Sequence, residues 1–129
     1  MITVNELSKE VSKILEDYTD TVEVVTDEAI DKVADETVRE LKNTSPKDKG
    51  AYAKGWAKKP IEDRYRKGQV VWNKKHYRLT HLLENGHDIV SKSGKRLGRT
   101  KPIPHIKPAE EKAVRNLQND LVRNLNDIK

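Results

Sequence analysis

The first 45 residues contain neither glycine nor proline, and apolar side chains recur among them at steps of three and four. Such spacing places side chains on one stripe of an α-helix. Since nothing forces the chain to stop before Pro46, we predict one long helix over about residues 5–42. The stripe runs through Leu7, Val11, Ile14, Tyr18, Val22, Val25, Ala29, Val33, Thr37 and Leu41.

The two ends and the middle of this helix carry local signals. Thr3 and Glu6 have the spacing of a capping box, with Asn5 as a competing N-cap. The Thr- and Val-rich segment 19–26 lowers helix propensity, so a bend or break near Thr21 stays open. The face away from the stripe is acidic. One small domain buries such a helix poorly, so we expect it to lean on a neighbouring molecule.

Composition indicates one modest domain. The chain has 129 residues, of which 34% are hydrophobic and 36% charged, with no Phe. The core must therefore be thin, and association with other subunits would stabilise it. The absence of Cys excludes disulfides and thiolate metal sites and fits a cytoplasmic protein. The N-terminus lacks a signal-peptide pattern and no run approaches the ~20 apolar residues of a membrane span, so we expect a soluble protein.

Charge is distributed unevenly along the chain. Residues 1–43 hold 5 basic and 12 acidic side chains, residues 44–108 hold 17 and 5, and residues 109–129 hold 4 and 4. An acidic segment joined to a basic body can attract copies of itself head to tail, or a polyanion. Charge alone does not separate these two.

After Pro46 the pattern changes to short elements. Residues 47–50 predict a turn, and alternating large and small residues over 51–58 predict a strand. The β-branched segment 69–73 predicts a second strand, with 60–68 as a charged hairpin loop. We therefore expect a small antiparallel sheet.

The last third predicts two helices separated by a loop. Residues 77–85 read as a short helix that turns Leu79, Leu82 and Leu83 inward and stops at Gly86 in the αL conformation. Residues 87–101 predict an exposed, mobile loop, and Pro102 and Pro104 extend the chain. A helix over about 108–126 closes the fold, with Ala109, Ala113, Leu117, Leu121 and Leu125 on one face.

The fold class expected from these elements is α+β. Its parts are a long N-terminal helix, a small antiparallel sheet, a short central helix and a C-terminal helix. Residues 1–129 would form a single domain whose sheet and loop body spans about 44–107.

No set of residues makes a persuasive active site. His81, Glu84 and His87 stand at steps of three, a spacing that could hold Zn²⁺, but Asn85–Gly86 should end the helix first and the HExxH pattern is absent. Glu84 is more simply the ion-pair partner of a Lys or Arg, and His105 a packing residue between prolines. Ser91, Ser93 and Thr100 have no paired base. We predict no catalytic, cofactor-binding or metal residues and no enzymatic activity.

A basic segment could contact phosphates or an acidic protein. It lacks the spacing of a nucleotide-binding loop, so contact with a partner or with the DNA backbone stays open. Trp56 and Trp72, on neighbouring predicted strands, are more simply core residues than a base-stacking platform. The basic residues in question are Lys92, Lys95, Arg96, Arg99 and Lys101.

Three motifs follow one another in a familiar order. They are Thr44 to Trp56 (TSPKDKGAYAKGW), Tyr77 leading to Leu83–His87 (LENGH), and Pro104 to Ala109 (PHIKPA). Their order and spacing over about residues 25–125 resemble a tailed-phage family, the neck or minor tail-component proteins of long-tailed phages and prophages. Two positions depart from the family pattern, Lys49 in place of a small hydroxyl residue and Gly55 in place of Ser.

The resemblance implies an α+β fold and a structural role in head–tail joining or tail completion. It also implies ring assembly, with a hexamer as the expected ring, and docking to head-completion or connector proteins and to tail-tube or tail-terminator proteins. The protein would assemble in the host bacterial cytoplasm and reside in the virion. A basic nucleic-acid-binding protein is the alternative. Architectural roles would fall to Pro46, Gly50, Trp56, Glu84, Gly86, Pro104, His105 and Pro108.

Overall fold

The computed structural model describes residues 3–47, 50–64 and 67–128. It has the α+β architecture expected from the sequence, which confirms that prediction. In chain order the elements are α1 (Val4–Thr44), α2 (Ala51–Lys54), β1 (Trp56–Glu62), β2 (Lys67–Asn73), a 3₁₀ turn (Tyr77–Leu79), α3 (Thr80–Asn85), β3 (Asp88–Val90), β4 (Arg96–Arg99) and α4 (Ile106–Asn126).

The predicted long helix is confirmed and is slightly longer than expected. α1 has 41 residues, which corresponds to a rod about 60 Å long. The capping box is present, since the Glu6 N–H donates to Thr3 Oγ1 at 3.2 Å and the Thr3 N–H donates to Glu6 Oε2 at 2.9 Å. The helix continues through residues 19–26, where the hydroxyls of Thr19 and Thr21 donate to carbonyls one turn back. Thr21 therefore marks no break.

The predicted strand at 51–58 is wrong in its first half. Residues Ala51–Lys54 form one helical turn, entered through Gly50 at φ +81°, and the Lys54 N–H donates to the Gly50 carbonyl at 3.1 Å. Alternating Ala with longer residues fits a helical turn as well as a strand, and the left-handed glycine decides between them. Asp48 and Lys49 of the predicted turn lie outside the described residues.

The antiparallel sheet itself is present but shifted along the chain. β1 pairs with β2 from Trp56 opposite Asn73 to Glu62 opposite Lys67, so most of the predicted loop at 60–68 is strand. Pro60 is tolerated inside β1 because a two-stranded ribbon leaves each strand one unpaired edge.

The region after the sheet also differs from its prediction. Leu79 lies in a 3₁₀ turn and is exposed, not inward. Gly86 has φ +75° and ψ 168°, so it ends α3 with positive φ but outside the αL region. The predicted mobile loop at 87–101 contains a hairpin, β3 with β4, in which Asp88 pairs with Arg99.

α4 begins at Ile106, two residues before the predicted start, and packs antiparallel along α1. Lys112 pairs with Glu40 and Asp120 with Lys32. By that register the last residues of α4 come level with about residue 26 of α1. The core centres on Leu41, Trp56 and Ala109, with Val38, Tyr52, Val71 and Ile106 packed around them.

Candidate interaction surfaces and the motif junction

The three sequence motifs meet at one junction in the structure. Trp56 is buried, and its Nε1–H donates to the buried Ser45 Oγ at 2.7 Å, which ties β1 to the end of α1. The Tyr52 hydroxyl lies 2.7 Å from His105 Nε2. The rings of Tyr52, Trp56 and His105 contact each other edge to face, with centroids 5.6–6.2 Å apart. Segments about 50 residues apart in the chain are thereby locked together.

Both ring nitrogens of the buried His105 are engaged. Nδ1 lies 2.7 Å from the Ile103 carbonyl oxygen, which can only accept, so Nδ1 carries the proton. Nε2 has the Tyr52 hydroxyl as its partner. Burial, with the nearby charge of Glu84, raises the pKa of Tyr52 to about 12, which keeps it a donor. His105 acts as a packing and hydrogen-bonding residue here.

Glu84 contacts the first turn of α4. Its two oxygens accept from the backbone N–H groups of His105 at 2.9 and 3.0 Å and of Ile106 at 2.8 and 3.0 Å, and Oε1 accepts from Lys107 at 3.1 Å. Burial opposes ionisation, but these backbone hydrogen bonds lower the pKa of Glu84 below its ordinary value. Among the described residues the expected Lys or Arg side chain is not its partner; the backbone of residues 105–107 is. The carboxylate satisfies the unpaired N–H groups of a helix start.

Two glycines of the motifs leave room for atoms of other segments. A Cβ on Gly86 would lie 2.5 Å from the Thr100 carbonyl oxygen, and one on Gly55 would lie 2.4 Å from Asn73 Oδ1. The Asn73 amide is itself fixed, since its nitrogen donates to the Tyr52 carbonyl at 2.7 Å and its oxygen accepts from the His76 N–H at 2.9 Å. This contact gives a physical reason for Gly55 where the family pattern has Ser.

The remaining motif residues lie at chain reversals around the junction. Pro46 follows the last turn of α1, and Gly50 has the positive φ that opens α2. Pro104 directly precedes the N-cap of α4, and Pro108 lies in the first helical turn, where a missing N–H costs nothing.

The candidate zinc ligands do not converge. His81 is exposed, Glu84 faces α4, and His87 Nδ1 lies 3.2 Å from Thr100 Oγ1. Within residues 3–47, 50–64 and 67–128 no group of three or more His, Cys, Asp or Glu side chains has an arrangement that could hold a metal ion.

The acidic face of α1 pairs with basic residues of the same chain. Lys58 of β1 pairs with Asp31 and Asp35, at 2.9 Å from the latter. Lys67 of β2 pairs with Glu23 at 3.1 Å and Asp27 at 2.8 Å. Hydrogen bonds to these carboxylates raise the pKa of both lysines. Much of the acidic charge of α1 is therefore neutralised by basic side chains of the same molecule.

The basic hairpin, residues 88–101, keeps part of its charge free. Arg96 and Arg99 both contact Asp88, each at 3.2 Å. For the other three basic residues, the described part of the chain holds no carboxylate within salt-bridge distance: Lys92, Lys95 and Lys101.

The two tryptophans lie on opposite faces of the β1–β2 ribbon. Trp56 stands opposite Asn73, one residue beyond Trp72, so the two indoles cannot share one face. Trp72 is half-buried, with the Lys59 ammonium 4.2 Å from its ring centroid. Trp56 is the core residue that was predicted, whereas Trp72 is not.

Residues 4–20 of α1, which we call the arm, extend beyond the rest of the fold. Every described arm residue is exposed, because the end of α4 lies level with about residue 26 of α1 and the β1–β2 ribbon contacts α1 only as far as Glu23. Its apolar side chains, 48–80% exposed, are Val4, Leu7, Val11, Ile14, Leu15 and Tyr18. They continue the stripe that packs against the body further along α1.

An open apolar cleft of about 350 Å³ lies between α1, β2 and α4. Ile30 and Val33 form one wall, Val71 the second, and Ile106, Ala113 and Leu117 the third. We call this the cleft. The arm and the cleft are two apolar surfaces that the folded chain leaves uncovered.

Comparison with known families identifies the chain. The sequence model of the HK97-gp10-like family, a bacteriophage tail-component family, matches residues 5–86. The chain belongs to this family. The match confirms the resemblance found from the motifs and covers the first motif and all but the last residue of the second, whereas the third, at residues 104–109, lies beyond it.

As a member of a tail-component family, the protein is assigned to the virion. No curated protein and no solved structure matches the chain. Among the residues that the structure describes, no helix combines the length and apolar character needed to cross a membrane.

Proposed function

We propose that this tail-component protein is a structural part of the phage neck or of the completed tail end. It would act by assembling into a ring, with a hexamer as the expected ring, and docking between head-completion or connector proteins and tail-tube or tail-terminator proteins. The observation that carries the proposal is the arm, since a helix of about 25 Å with an exposed apolar stripe needs a protein surface to cover it.

The contacts at the motif junction support a role without chemistry. Glu84 and His105 are the candidate acid and base at the motif junction. Glu84 is occupied by the backbone of α4, and both ring nitrogens of His105 have partners within the chain. A general acid or base needs a proton-accepting or proton-donating atom facing a substrate. We therefore propose that the motif residues hold the shape of the subunit and that assembly is the whole function.

The experiment is a stop codon in this gene within a phage or prophage, with particles examined by negative-stain electron microscopy. Loss of a neck or tail-completion protein should yield separate filled heads and tails. Supplying the protein in trans should restore joined virions, and a suppressor strain that reads through the codon is the matched control. Joined, infectious virions without the protein would contradict the proposal.

A second candidate function is contact with the DNA backbone through the basic hairpin. Lys92, Lys95 and Lys101 support it, because these exposed cations lack carboxylate partners within the described chain. Replacing all three with Gln should flatten the salt dependence of DNA binding by about three phosphate contacts. Unchanged mobility of DNA with the wild-type protein at low salt would remove this candidate.

A further inference from the structure

We propose that the arm of one copy of this chain inserts its apolar stripe into the cleft of the next copy. The inference deepens the proposed ring by assigning the two surfaces that join its subunits, and it rests on that proposed function. The arm is an amphipathic helix, and helix-in-groove binding is a common way for such a helix to be covered. The occupant of the cleft is thus a second copy of this chain.

The arm cannot enter its own cleft. The cleft wall nearest the arm includes Ile30, which lies on the same continuous helix as Tyr18. At 1.5 Å per residue the two stand about 18 Å apart along the axis, and Val4 stands about 39 Å away. A helix without a break does not fold back on itself, so the contact must be made between molecules.

The width of the arm's stripe favours a groove over a second arm. Val4, Leu7, Val11 and Ile14 alternate at steps of three and four, which is the seam of a two-stranded coiled coil. Leu15, 61% exposed, lies beside that seam and widens it into the stripe of a helix that packs on a globular core. The three-walled cleft offers such a surface.

Charge disfavours the pairing of two arms. The arm carries five acidic residues and two lysines, so two arms side by side would repel each other. Since Lys58 and Lys67 already neutralise acids of α1 outside the arm, the arm holds most of the acidic charge of α1 that is left for another molecule. Its acids are Glu6, Glu10, Glu16, Asp17 and Asp20.

An arm-to-cleft contact joins two different patches and leaves the joined pair of subunits with one free arm and one free cleft. Such a heterologous contact repeats until the rotation closes it into a ring. One type of interface, arm to cleft, is therefore sufficient to build the proposed ring.

Cross-linking tests the contact in the full chain, which has no Cys of its own. We introduce Ile14→Cys on the stripe and Ala113→Cys in the cleft, and treat the protein with a short bis-maleimide. The double variant should give a ladder of dimers, trimers and larger species, whereas each single variant should stay monomeric. Replacing Ile14→Cys by Lys9→Cys, on the opposite side of the arm, is the matched control and should lose the ladder.

Two results would overturn the proposal. Dimers formed by Ile14→Cys alone would show that arms pair with arms. A double variant that stays monomeric up to its solubility limit would show that another virion protein covers the arm. If the cross-linked ladder forms but virions assemble without this protein, the arm contact stands and the proposed function is wrong. If joined virions require the protein but no ladder forms, the proposed function stands and the arm contact is wrong.

Light scattering provides a second measurement. Leu7→Glu with Ile14→Glu should raise the apparent dissociation constant of the assembly at least about 100-fold, because two aliphatic side chains are no longer buried. Lys9→Gln with Lys13→Gln changes the net charge equally on the opposite face and should leave the assembly mass unchanged. Equal effects of both pairs would contradict a contact made by the stripe.

Mixing defective subunits separates the two surfaces. Ala113→Trp fills the cleft, and circular dichroism checks that this variant stays helical. The Ala113→Trp subunit still has its arm, and the subunit with Leu7→Glu and Ile14→Glu still has its cleft. The mixture of the two should therefore form a one-to-one dimer and nothing larger. No dimer in the mixture, with both variants folded, would overturn the head-to-tail arrangement.

Discussion

Glu84 and Ile106 meet where two of the sequence motifs join, with both carboxylate oxygens of Glu84 within 3.0 Å of the Ile106 backbone nitrogen. The carboxylate lies 22 residues before the helix start that it stabilises. A helix N-terminus carries unpaired N–H groups and a partial positive charge, so a half-buried anion there is favourable. This contact sets where α4 begins and hence one wall of the cleft.

Replacing Glu84 with Gln should lower the free energy of unfolding by about 2 kcal/mol, since hydrogen bonds to a charged acceptor are worth about 1.5–3 kcal/mol. Urea denaturation of the full chain measures the change. Glu111→Gln, on the exposed side of α4, is the control and should change stability by less than about 0.5 kcal/mol. Equal effects would show that Glu84 contributes no more than surface charge.

The contribution of Glu84 should also depend on pH. Its folded pKa is lowered below the ordinary value of 4.5, so the stabilisation is fully present above that value and is lost as pH falls through the folded pKa. The stability difference between wild type and Glu84→Gln should therefore be largest near pH 7 and shrink towards pH 3. A difference that grew on acidification would contradict the assignment.

Gly86→Ala should destabilise the chain by more than about 1 kcal/mol. The residue has φ +75°, and its Cβ would lie 2.5 Å from the Thr100 carbonyl oxygen, a backbone atom that cannot move away cheaply. Gly68→Ala is the matched control, because a Cβ there meets nothing within 4 Å. Thermal unfolding of both variants measures the effect, and a neutral Gly86→Ala would mean that the chain reverses differently at this point.

Ser45→Ala should cost about 1–3 kcal/mol, because it leaves the buried Nε1–H of Trp56 without its acceptor. Trp56→Phe removes the donor, and in that background Ser45→Ala should cost clearly less. A double-mutant cycle by urea denaturation gives the coupling energy, expected near 1 kcal/mol. Additive losses would show that the bond contributes nothing beyond burial. Thr44→Ala, at an exposed position one residue earlier, is the control.

The helices could be predicted from the sequence because their signals are local. The apolar stripe and the capping box of Thr3 and Glu6 fixed α1 to within two residues at either end. The doubt at Thr21 came from propensity alone. In the structure the Thr21 hydroxyl donates to the Asp17 carbonyl, so the helix includes a residue type whose average helix propensity is low.

The short elements and the junction depend on contacts between distant residues, which local patterns do not reveal. The turn at Ala51–Lys54 follows from the left-handed Gly50, and the basic hairpin forms because Asp88 and Arg99 pair across eleven residues. For Glu84 the sequence signalled an unusual acid in a basic stretch but not its partner. That partner is a helix start, and backbone N–H groups leave no mark in a sequence.

The three motifs were recognised by their order and spacing along the chain, and the structure brings them together at the junction. The first motif supplies Tyr52, whose hydroxyl contacts His105 of the third, and Gly55, whose missing Cβ leaves room for Asn73. The second motif supplies Glu84, which contacts the helix start in the third. The arm has no packing partner among the residues that the structure describes, so its role follows from the apolar surface that the fold leaves exposed.

The most direct measurement of the proposed assembly is a cryo-electron microscopy map of virions that contain this protein. We expect a closed ring of this chain at the head–tail junction, with the arm of each subunit, residues 4–20, lying in the cleft of the next. A ring whose arms contact only other proteins, or virions that lack the chain at the junction, would contradict the account.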